Sequence, residues 1–464
     1  MCRYAVWLAV LSASAAGAIL TPSAARGQGL ILPSTGAVNG SMAGASTGYA
    51  LDAAGAMYWN PATLSRLQQS EVVIGGALPY ADIYLNSGIP GTGLSGRTRS
   101  DSGIGLLTGT ALAYLPENSR VSYGLGLYSL GGGAVNYPGD PTNPLLSPVG
   151  PRGQFVLGPS AATASFIAVV PGASYQVTDR LAVGFAPMID IAITSFDPAF
   201  FGPPNDANGD GLRSFPTGSH SRPFWGGGFR AGLVYSVTPT LDVGFGYTSQ
   251  QWFERWVYNT RDEVGNPFRF GISVTLPAIY SWGVTYRGID RLTLSADLRY
   301  IDYQNTQLYG EPVSAGGAGW QSVFAAAVGA QYQVTDKLAS RFGYVYNDNP
   351  IPETLTLLNT QGPAITQHTL TFGFGYRYNE WLELSGGYAK GFHNSISGPV
   401  AQRTGIGTKL DVESDTFQFG ITVKFGPPRQ RSRPACTECY NAPPADVSRA
   451  EANAPPPIPS APGS

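Results

Sequence analysis

The sequence predicts an all-β protein, a transmembrane antiparallel β-barrel of 14 strands with an N-terminal hatch of short helices inside the lumen. Only 12% of the 464 residues are charged, which is too few to cover several soluble domains, and 60 residues are glycine. Aromatic residues make up 12% of the chain although the mean hydropathy is −0.03, so apolar and polar residues alternate. No stretch after residue 28 offers about 20 uninterrupted apolar residues, which argues against a helical membrane protein.

Residues 1–27 are typical of a signal peptide. Arg3 lies in a short basic region, an apolar stretch runs from Ala5 to Leu20, and Ala25 and Gly27 are small residues at the spacing of a cleavage site. An N-terminal anchor is the alternative, but the apolar run is too short to span a bilayer. We therefore expect cleavage after Gly27 and export of the mature chain.

Residues 28–68 are rich in Gly, Ala and Ser and are too apolar for a solvated linker. Residues 43–57 have the composition of short helices between glycines. A 14-stranded barrel encloses a lumen wider than its own side chains fill, because about eight strands is the limit for a filled interior. This segment is therefore expected to be a hatch that plugs the lumen.

Residues 69–425 show period-2 alternation, which predicts strands with two different faces. In the segment 241–247, Leu241, Val243 and Phe245 alternate with Asp242 and Gly244, and we assign the large apolar face to lipid. The predicted strands are 71–87, 104–116, 120–135, 160–177, 180–196, 222–237, 240–256, 269–287, 290–304, 319–334, 337–347, 365–378, 381–393 and 412–425.

The connections between these strands alternate in length. The short ones are Pro116–Ser119, Thr178–Asp179, Thr238–Pro239, Gly288–Ile289, Thr335–Asp336 and Asn379–Glu380, and the others run from about a dozen to two dozen residues. Bacterial outer-membrane barrels place short turns in the periplasm and long loops outside. Closure would leave no unpaired edge in the membrane. The last strand ends at Phe425, an aromatic residue of the kind that the barrel-assembly machinery reads.

Residues 426–464 form a Pro-rich tail that is too poor in apolar residues to bury a core, so we expect it to be disordered in the periplasm. Cys436 and Cys439 form a single CxxC pair, which favours a local disulfide or an inert pair over zinc. The tail leaves a periplasmic or cell-wall partner open.

Several function classes are disfavoured by composition. The net charge of −2 gives no basis for nucleic-acid binding, and the three histidines, His220, His368 and His393, are far apart. A Ser/His hydrolase needs a histidine close to a nucleophile and an acid, and no such spacing occurs. We expect no enzymatic activity, no cofactor and no resident metal.

Four arginines, Arg230, Arg299, Arg341 and Arg377, lie on the strand faces that also carry glycines and carboxylates. An arginine facing lipid would cost about 2–4 kcal/mol at mid-bilayer, so these side chains belong to the lumen. They either form Arg–carboxylate pairs that brace the wall, or one of them holds the carboxylate of a ligand.

The segment 206–211 resembles the first half of a calcium loop, with Asp206, Asn208 and Asp210 at alternate positions and Gly211 at the sixth. The twelfth position should be Glu but is Thr217. An ordinary Asp/Asn/Gly turn is the other interpretation.

The segment "GAMYWNPATLSRL", which contains Asn60, Pro61 and Ala62, resembles the hatch of the FadL/TodX-type outer-membrane transporters of long-chain fatty acids and hydrocarbons. The segments "LPAIYSWGVTYR", "RFGYVYNDNPIPE" and "HTLTFGFGYRYNEWLELSGGY" resemble late strands of that family in order and spacing. The resemblance covers residues 28–425.

The resemblance implies passive uptake of long-chain fatty acids or aromatic hydrocarbons across the outer membrane of a Gram-negative-type bacterium. Ligand would enter an outer groove, reach a pocket closed by the hatch, and leave sideways at a kinked third strand. Gly131, Gly132 and Gly133 are the candidate kink, and a flexible loop start is the alternative. We expect a monomer in contact with outer-membrane lipid. A water-filled porin and a structural barrel are the other functions considered.

Overall fold

The computed structural model describes residues 28–147, 157–211, 213–219, 222–400 and 405–429. The predicted signal peptide 1–27, His220 and the tail from residue 430 onward, with Cys436 and Cys439, lie outside the described residues.

The described residues contain nineteen strands and six short helices. The strands are β1 (Ser70–Ile89), β2 (Leu94–Arg99), β3 (Leu107–Tyr114), β4 (Val121–Tyr137), β5 (Ser160–Gln176), β6 (Leu181–Asp197), β7 (Phe224–Thr238), β8 (Leu241–Thr248), β9 (Gln251–Phe253), β10 (Trp256–Arg261), β11 (Pro267–Ile272), β12 (Thr275–Leu276), β13 (Ala278–Ile289), β14 (Leu292–Asp302), β15 (Val323–Gln333), β16 (Leu338–Asn347), β17 (His368–Arg377), β18 (Leu382–Ser397) and β19 (Gly407–Phe425). The helices are α1 (Gly36–Ser41), α2 (Ala53–Trp59) and 3-10 helices at Pro61–Arg66, Val313–Ala315, Glu353–Leu355 and Leu357–Asn359.

The strands form a closed antiparallel barrel of 14 wall strands, which confirms the predicted fold class. Three wall strands are each interrupted and consist of two consecutive segments: β2 with β3, β8 with β9, and β12 with β13. The barrel closes between β1 and β19, in register from Ser70 opposite Phe425 to Gly88 opposite Gly407. No strand edge of the wall is left at this seam.

The six predicted tight turns lie at one end of the barrel, the short-turn end, and most of the longer connections lie at the opposite, long-loop end. The predicted first long connection is wrong, because β1 runs to Ile89 and β2 begins at Leu94 after a four-residue turn. That turn contains Gly91 and Gly93, both with positive φ. The predicted start of the eighth strand at residue 269 is also displaced, since β10 and β11 form a separate hairpin in that loop.

The outward face of the wall is apolar and ends in an aromatic belt. Leu125, Phe185, Leu233, Phe342 and Phe374 are among the exposed outward side chains. A ring of exposed aromatic residues surrounds the short-turn end: Tyr114, Tyr123, Tyr175, Tyr235, Tyr332, Tyr376, Tyr378 and Trp381. An apolar band bordered by aromatic rings matches a membrane exterior.

Residues 28–68, which we call the hatch, lie inside the lumen, because they contact the inward faces of strands around the barrel. The wall glycines at these contacts form a ring that we call the glycine girdle: Gly109, Gly124, Gly184, Gly232, Gly244, Gly246, Gly283, Gly329, Gly343 and Gly373. A Cβ added at any of them would lie within 3.0 Å of a hatch atom. The hatch backbone therefore approaches the wall backbone closely. No helix among the described residues is long and apolar enough to cross a membrane.

Candidate functional site

The Asn60-Pro61-Ala62 turn connects the hatch to itself and to the wall. Asn60 ends α2 in an extended conformation, and Pro61 begins the following 3-10 helix. The Asn60 Oδ1 accepts a hydrogen bond from the Ala62 backbone N–H at 3.0 Å. Its Nδ2 donates to the Thr47 carbonyl at 2.8 Å and to the Leu233 carbonyl of β7 at 2.9 Å. One buried amide thus joins two parts of the hatch to the barrel.

A carboxylate–arginine pair on β14 holds the hatch turn around residue 46. The Asp297 carboxylate accepts from the backbone N–H groups of Ser46 and Thr47, both at 3.0 Å, and from the Thr47 hydroxyl at 2.8 Å. Arg299 donates to the Gly44 carbonyl and pairs with Asp297 at 2.8 Å. Its guanidinium also lies over the ring of Trp59, 3.8 Å from the centroid. These charges point inward, where they bind hatch backbone.

The other three predicted arginines differ in their surroundings. Arg230 donates to the Met57 carbonyl of the hatch at 2.9 Å. Arg341 donates to Gln331 at 2.7 Å and pairs with Glu383 at 3.4 Å. Arg377 has the inward parity of β17 but lies exposed at the short-turn end. Three of the four arginines therefore already bind hatch or wall groups.

Two buried carboxylates lie at the beginning of α2. The Asp52 Oδ1 caps the helix by accepting from the Gly55 N–H at 2.8 Å. Glu71, at the start of β1, accepts from the Ala53 N–H at 2.7 Å. These bonds satisfy backbone donors of the first helical turn that have no partner within the helix.

The wall is interrupted beside the glycine triplet of β4. The ladder between β3 and β4 ends at the pair Gly109–Tyr128, and β4 contacts the second wall strand again at Asn136, whose carbonyl accepts from the Asp101 N–H at 2.7 Å. On the other side of β4, the register with β5 shifts between Ser129 and Gly131. A bulge of this kind bends a strand. We call the interval along residues 130–135 of β4 the wall gap.

The beginning of the hatch lies across the wall gap. The Leu32 N–H donates to the Leu130 carbonyl at 3.0 Å, and the Gly132 N–H donates to the Leu30 carbonyl at 3.3 Å. Tyr303 fixes this segment, since its hydroxyl accepts from the Leu30 and Ile31 N–H groups at 2.8 and 3.1 Å and donates to the Gln28 carbonyl at 2.9 Å. A backbone acceptor and a backbone donor at the gap are thus paired by an inserted segment rather than by a neighbouring strand.

The three candidate kink glycines have different environments. Gly131 faces the Leu30 carbonyl, and Gly132 has φ +134 with the Ala164 carbonyl so close that a Cβ would collide with it. Gly133 is exposed, and a Cβ there would meet nothing within 4 Å. Only Gly133 therefore faces open space at the gap.

A small cavity of about 10 Å³ lies between hatch and wall next to the gap, with Ile31, Tyr58, Leu130, Arg230 and Gln251 in its lining. An open cleft of about 530 Å³ lies at the long-loop end, with Asn86, Ser95, Arg97 and Lys409 in its polar lining.

The predicted calcium turn lies exposed in the loop between β6 and β7. Asn208 accepts from the Asp210 N–H at 3.0 Å, and its amide donates to the Asp210 carboxylate at 3.3 Å. Asp206 is also exposed. Within the described ranges, no group of three His, Cys, Asp or Glu side chains is arranged to hold a metal ion.

Sequence reasoning did not assign Tyr303, Glu71 or Asp297 to the hatch. Asp297 had a usable signal, because it alternates with the apolar face of its strand and shares the inward parity of Arg299. Tyr303 had none, since it lies just after β14 and its partners are more than 270 residues away in the chain.

Comparison with known proteins places this architecture among outer-membrane proteins. A model of the family described as outer membrane protein transport protein (OMPP1/FadL/TodX) matches residues 18–426. A comparison with curated protein sequences finds no match.

Three solved structures share the fold at low sequence identity. The toluene transporter TodX of P. putida is 17% identical with a TM-score of 0.65, and the match covers 85% of this chain and 100% of TodX. The toluene transporter TbuX of Ralstonia pickettii is 18% identical with a TM-score of 0.64, covering 85% and 99%. A FadL homologue of Pseudomonas aeruginosa is 19% identical with a TM-score of 0.64, covering 86% and 100%.

Proposed function

Because this chain belongs to the OMPP1/FadL/TodX family of outer-membrane transport proteins, we propose that it is a channel for the passive uptake of hydrophobic molecules, long-chain fatty acids or aromatic hydrocarbons. Ligand enters at the long-loop end, which faces the outside, reaches a pocket closed by the hatch, and leaves through the wall gap into the membrane. The protein performs no chemistry on its ligand.

The wall gap is the single observation that carries this proposal. An apolar molecule gains nothing from release into the aqueous periplasm, because each exposed methylene costs about 0.8 kcal/mol, or on the order of 10 kcal/mol for a sixteen-carbon chain. A lateral exit requires a place where neighbouring wall strands are not hydrogen-bonded. Residues 130–135 of β4 lack that ladder toward β3, and the inserted segment at Leu30–Leu32 satisfies backbone groups at the bend.

The packing of the hatch disfavours a water-filled porin. The hatch backbone lies directly against the glycine girdle, so ions have little free cross-section along the barrel axis. Buried bonds from Asp297, Arg299 and Arg230 hold the hatch at three further points. Gating at the small N-terminal segment therefore requires far fewer broken contacts than expulsion of the whole hatch.

Transport and conductance together test the function. Cells expressing the protein should take up labelled toluene or a long-chain fatty acid faster than cells that lack it. The purified protein should show no large, steady ion conductance in planar bilayers. A porin-like conductance, or uptake equal to that of cells without the protein, would contradict the proposal.

Substitution at Gly133 tests the lateral exit. Gly133→Trp places a bulky side chain in the open space at the gap without backbone strain, whereas Gly133→Ala adds one methyl group there. We expect Gly133→Trp to reduce uptake at least tenfold and Gly133→Ala to leave it near the wild-type rate. Gly132→Val is less informative, because the positive φ and the Ala164 carbonyl would distort β4.

A matched pair of disulfides provides a second test. The hydroxyls of Thr108 and Ser129 lie 3.4 Å apart at the side of the gap nearer the short-turn end. Those of Thr285 and Ser295 lie 2.9 Å apart elsewhere in the wall. Thr108→Cys with Ser129→Cys should slow uptake under oxidising conditions and recover on reduction. Thr285→Cys with Ser295→Cys should respond to neither. If both oxidised proteins take up ligand at the same rate, the ligand leaves past the hatch instead of through the wall gap.

A further inference from the structure

One row of inward-facing residues crosses four wall strands beside the wall gap. Tyr128 of β4 lies opposite Ala168 of β5, Ala168 opposite Asp190 of β6, and Asp190 opposite Gly226 of β7. The two neighbours of Asp190 in this row are thus alanine and glycine, which leave its carboxylate without a large side chain on either strand. Arg230 lies four residues after Gly226, with the same inward parity on β7.

Three polar groups of this region lack hydrogen-bond partners among the described residues. They are the Tyr128 hydroxyl, both oxygens of the Asp190 carboxylate, and the Nε of Arg230. Tyr128 and Asp190 are fully buried and Arg230 is 3% exposed. Buried polar groups are nearly always paired, so the unpaired Tyr128 hydroxyl, Asp190 carboxylate and Arg230 Nε require an explanation, although another nitrogen of Arg230 donates to the Met57 carbonyl.

The surroundings of these groups are aromatic. Phe253 lies over Gly226, where an added Cβ would meet its ring, and Phe166 lies 5.7 Å from Phe253 between ring centroids. Phe166 is also the register partner of Gly131 in the kink. Arg230 also lines the small cavity between hatch and wall, together with Leu130 beside the wall gap, and its guanidinium lies 5.9 Å from the ring centroid of Tyr128.

We propose that Tyr128, Asp190 and Arg230 form a polar subsite for the hydroxyl group of an otherwise apolar ligand, such as a phenol or an aromatic alcohol. This proposal rests on the proposed uptake function and specifies its ligand class. A hydroxyl both donates and accepts, so it donates to the Asp190 carboxylate and accepts from the Tyr128 hydroxyl or the Arg230 guanidinium.

The same groups discriminate against other ligands. A hydrocarbon of equal shape leaves all three groups unpaired, and sites built to bond a hydroxyl reject analogues that lack it. A carboxylate would gain from Arg230 but would face the like charge of Asp190. The opposite charges of Asp190 and Arg230 therefore favour a neutral ligand.

Matched probes test the subsite. p-Cresol and p-xylene differ by one hydroxyl in place of a methyl group, and p-toluate carries a carboxylate there. We would measure binding to the purified full-length protein by calorimetry and uptake into proteoliposomes. We expect wild-type protein to bind p-cresol at least tenfold more tightly than p-xylene, and p-toluate to be weakest.

Two variants and a control assign the preference to these residues. Asp190→Leu and Tyr128→Phe should each bring the cresol-to-xylene ratio toward one while retaining p-xylene uptake. Thr194→Val is the control, because Thr194 is also buried and inward-facing on β6 but its hydroxyl already bonds Tyr258 at 2.8 Å. Should Asp190→Leu fail to assemble, Tyr128→Phe alone decides.

The outcomes separate the two proposals. A cresol-to-xylene ratio near one in the wild-type protein would overturn the subsite. A wild-type ratio that does not change in the assembled variants would overturn it as well. In either case, uptake of p-xylene would still support the channel function. If p-toluate binds more tightly than p-cresol, the subsite takes a carboxylate and the proposal of a hydroxyl ligand is overturned. If the protein takes up none of the three probes and no long-chain fatty acid, the transport function is overturned, and the subsite with it.

Discussion

At the scale of single residues, Asn60 shows how one side chain connects hatch to wall. Asn60→Ala removes the bonds to Thr47, Leu233 and Ala62, each with a net worth of about 0.5–1.5 kcal/mol. We expect uptake to fall severalfold, while the barrel, whose ladder does not involve Asn60, assembles normally. Heat-modified migration on gels checks assembly, and protease sensitivity checks the hatch. If the Asn60→Ala variant assembles normally and takes up ligand at the wild-type rate, Asn60 has only a local structural role.

Tyr303 provides a second test at this scale. Tyr303→Phe removes the hydroxyl that holds Gln28, Leu30 and Ile31 while keeping the ring against Trp320. We expect the amides of Leu30 and Ile31 to exchange hydrogen at least tenfold faster, because their acceptor is lost. If the segment gates the gap, uptake should accelerate. Faster exchange with unchanged uptake would show that opening of this segment does not limit the rate.

At the scale of elements, helix α2 should respond to pH. Burial raises the pKa of Asp52, which caps this helix, to about 6 from a usual value near 3.8. The docked hatch therefore binds this proton more tightly than a released hatch, so docking is strongest below pH 4 and weakens as pH rises through 6. Arg341, Glu383 and Lys424 are the charged groups that act on Asp52, and Asp52 itself acts on the neighbouring carboxylate of Glu71.

Hydrogen exchange of the Gly55 and Ala56 amides, corrected for the intrinsic rate at each pH, measures this effect. Protection should be several times lower at pH 8 than at pH 5. Asp52→Asn, which keeps the capping oxygen, should make the profile less steep between those values, while Glu71 remains as the second buried carboxylate at this helix end. An equally steep profile in the variant would assign the dependence to another of the charged groups.

The elements also show where sequence patterning succeeds. Strands such as β8 and β17 were predicted because lipid on one side and hatch on the other impose different residue types on alternate positions. The extension of β1 beyond residue 87 and the β10–β11 hairpin were missed. These segments lie toward the long-loop end, where both faces of a strand accept polar residues, so that apolar–polar alternation no longer identifies a strand.

At the scale of the whole molecule, the girdle accounts for ten of the 60 glycines. Gly184 faces Ala62 and Gly244 faces the Thr47 carbonyl, so a larger residue at either position would push against hatch backbone. The sequence showed that glycines alternate with apolar residues but not what they contact, because the hatch is far away in the chain. The inward parity of Arg230 and Arg299 was predictable in the same way, but their hatch partners were not.

The girdle leads to a prediction about conductance. Gly184→Leu should displace the hatch locally, leave the outward face and wall ladder intact, and produce ion conductance where wild type has little. Gly133→Ala, at a glycine with no neighbour within 4 Å, is the matched control and should remain closed. Planar-bilayer recording of both proteins decides, and a closed Gly184→Leu channel would show that the hatch tolerates the added bulk.

The girdle also constrains how the molecule is made. The seam joins β1, which follows the hatch directly, to β19, the last strand within the described residues. Because the hatch lies directly against the glycine girdle, a hatch that has already folded would have no clearance to enter a closed barrel. We therefore expect the hatch to dock while β1 is still a free edge, before β1 and β19 pair.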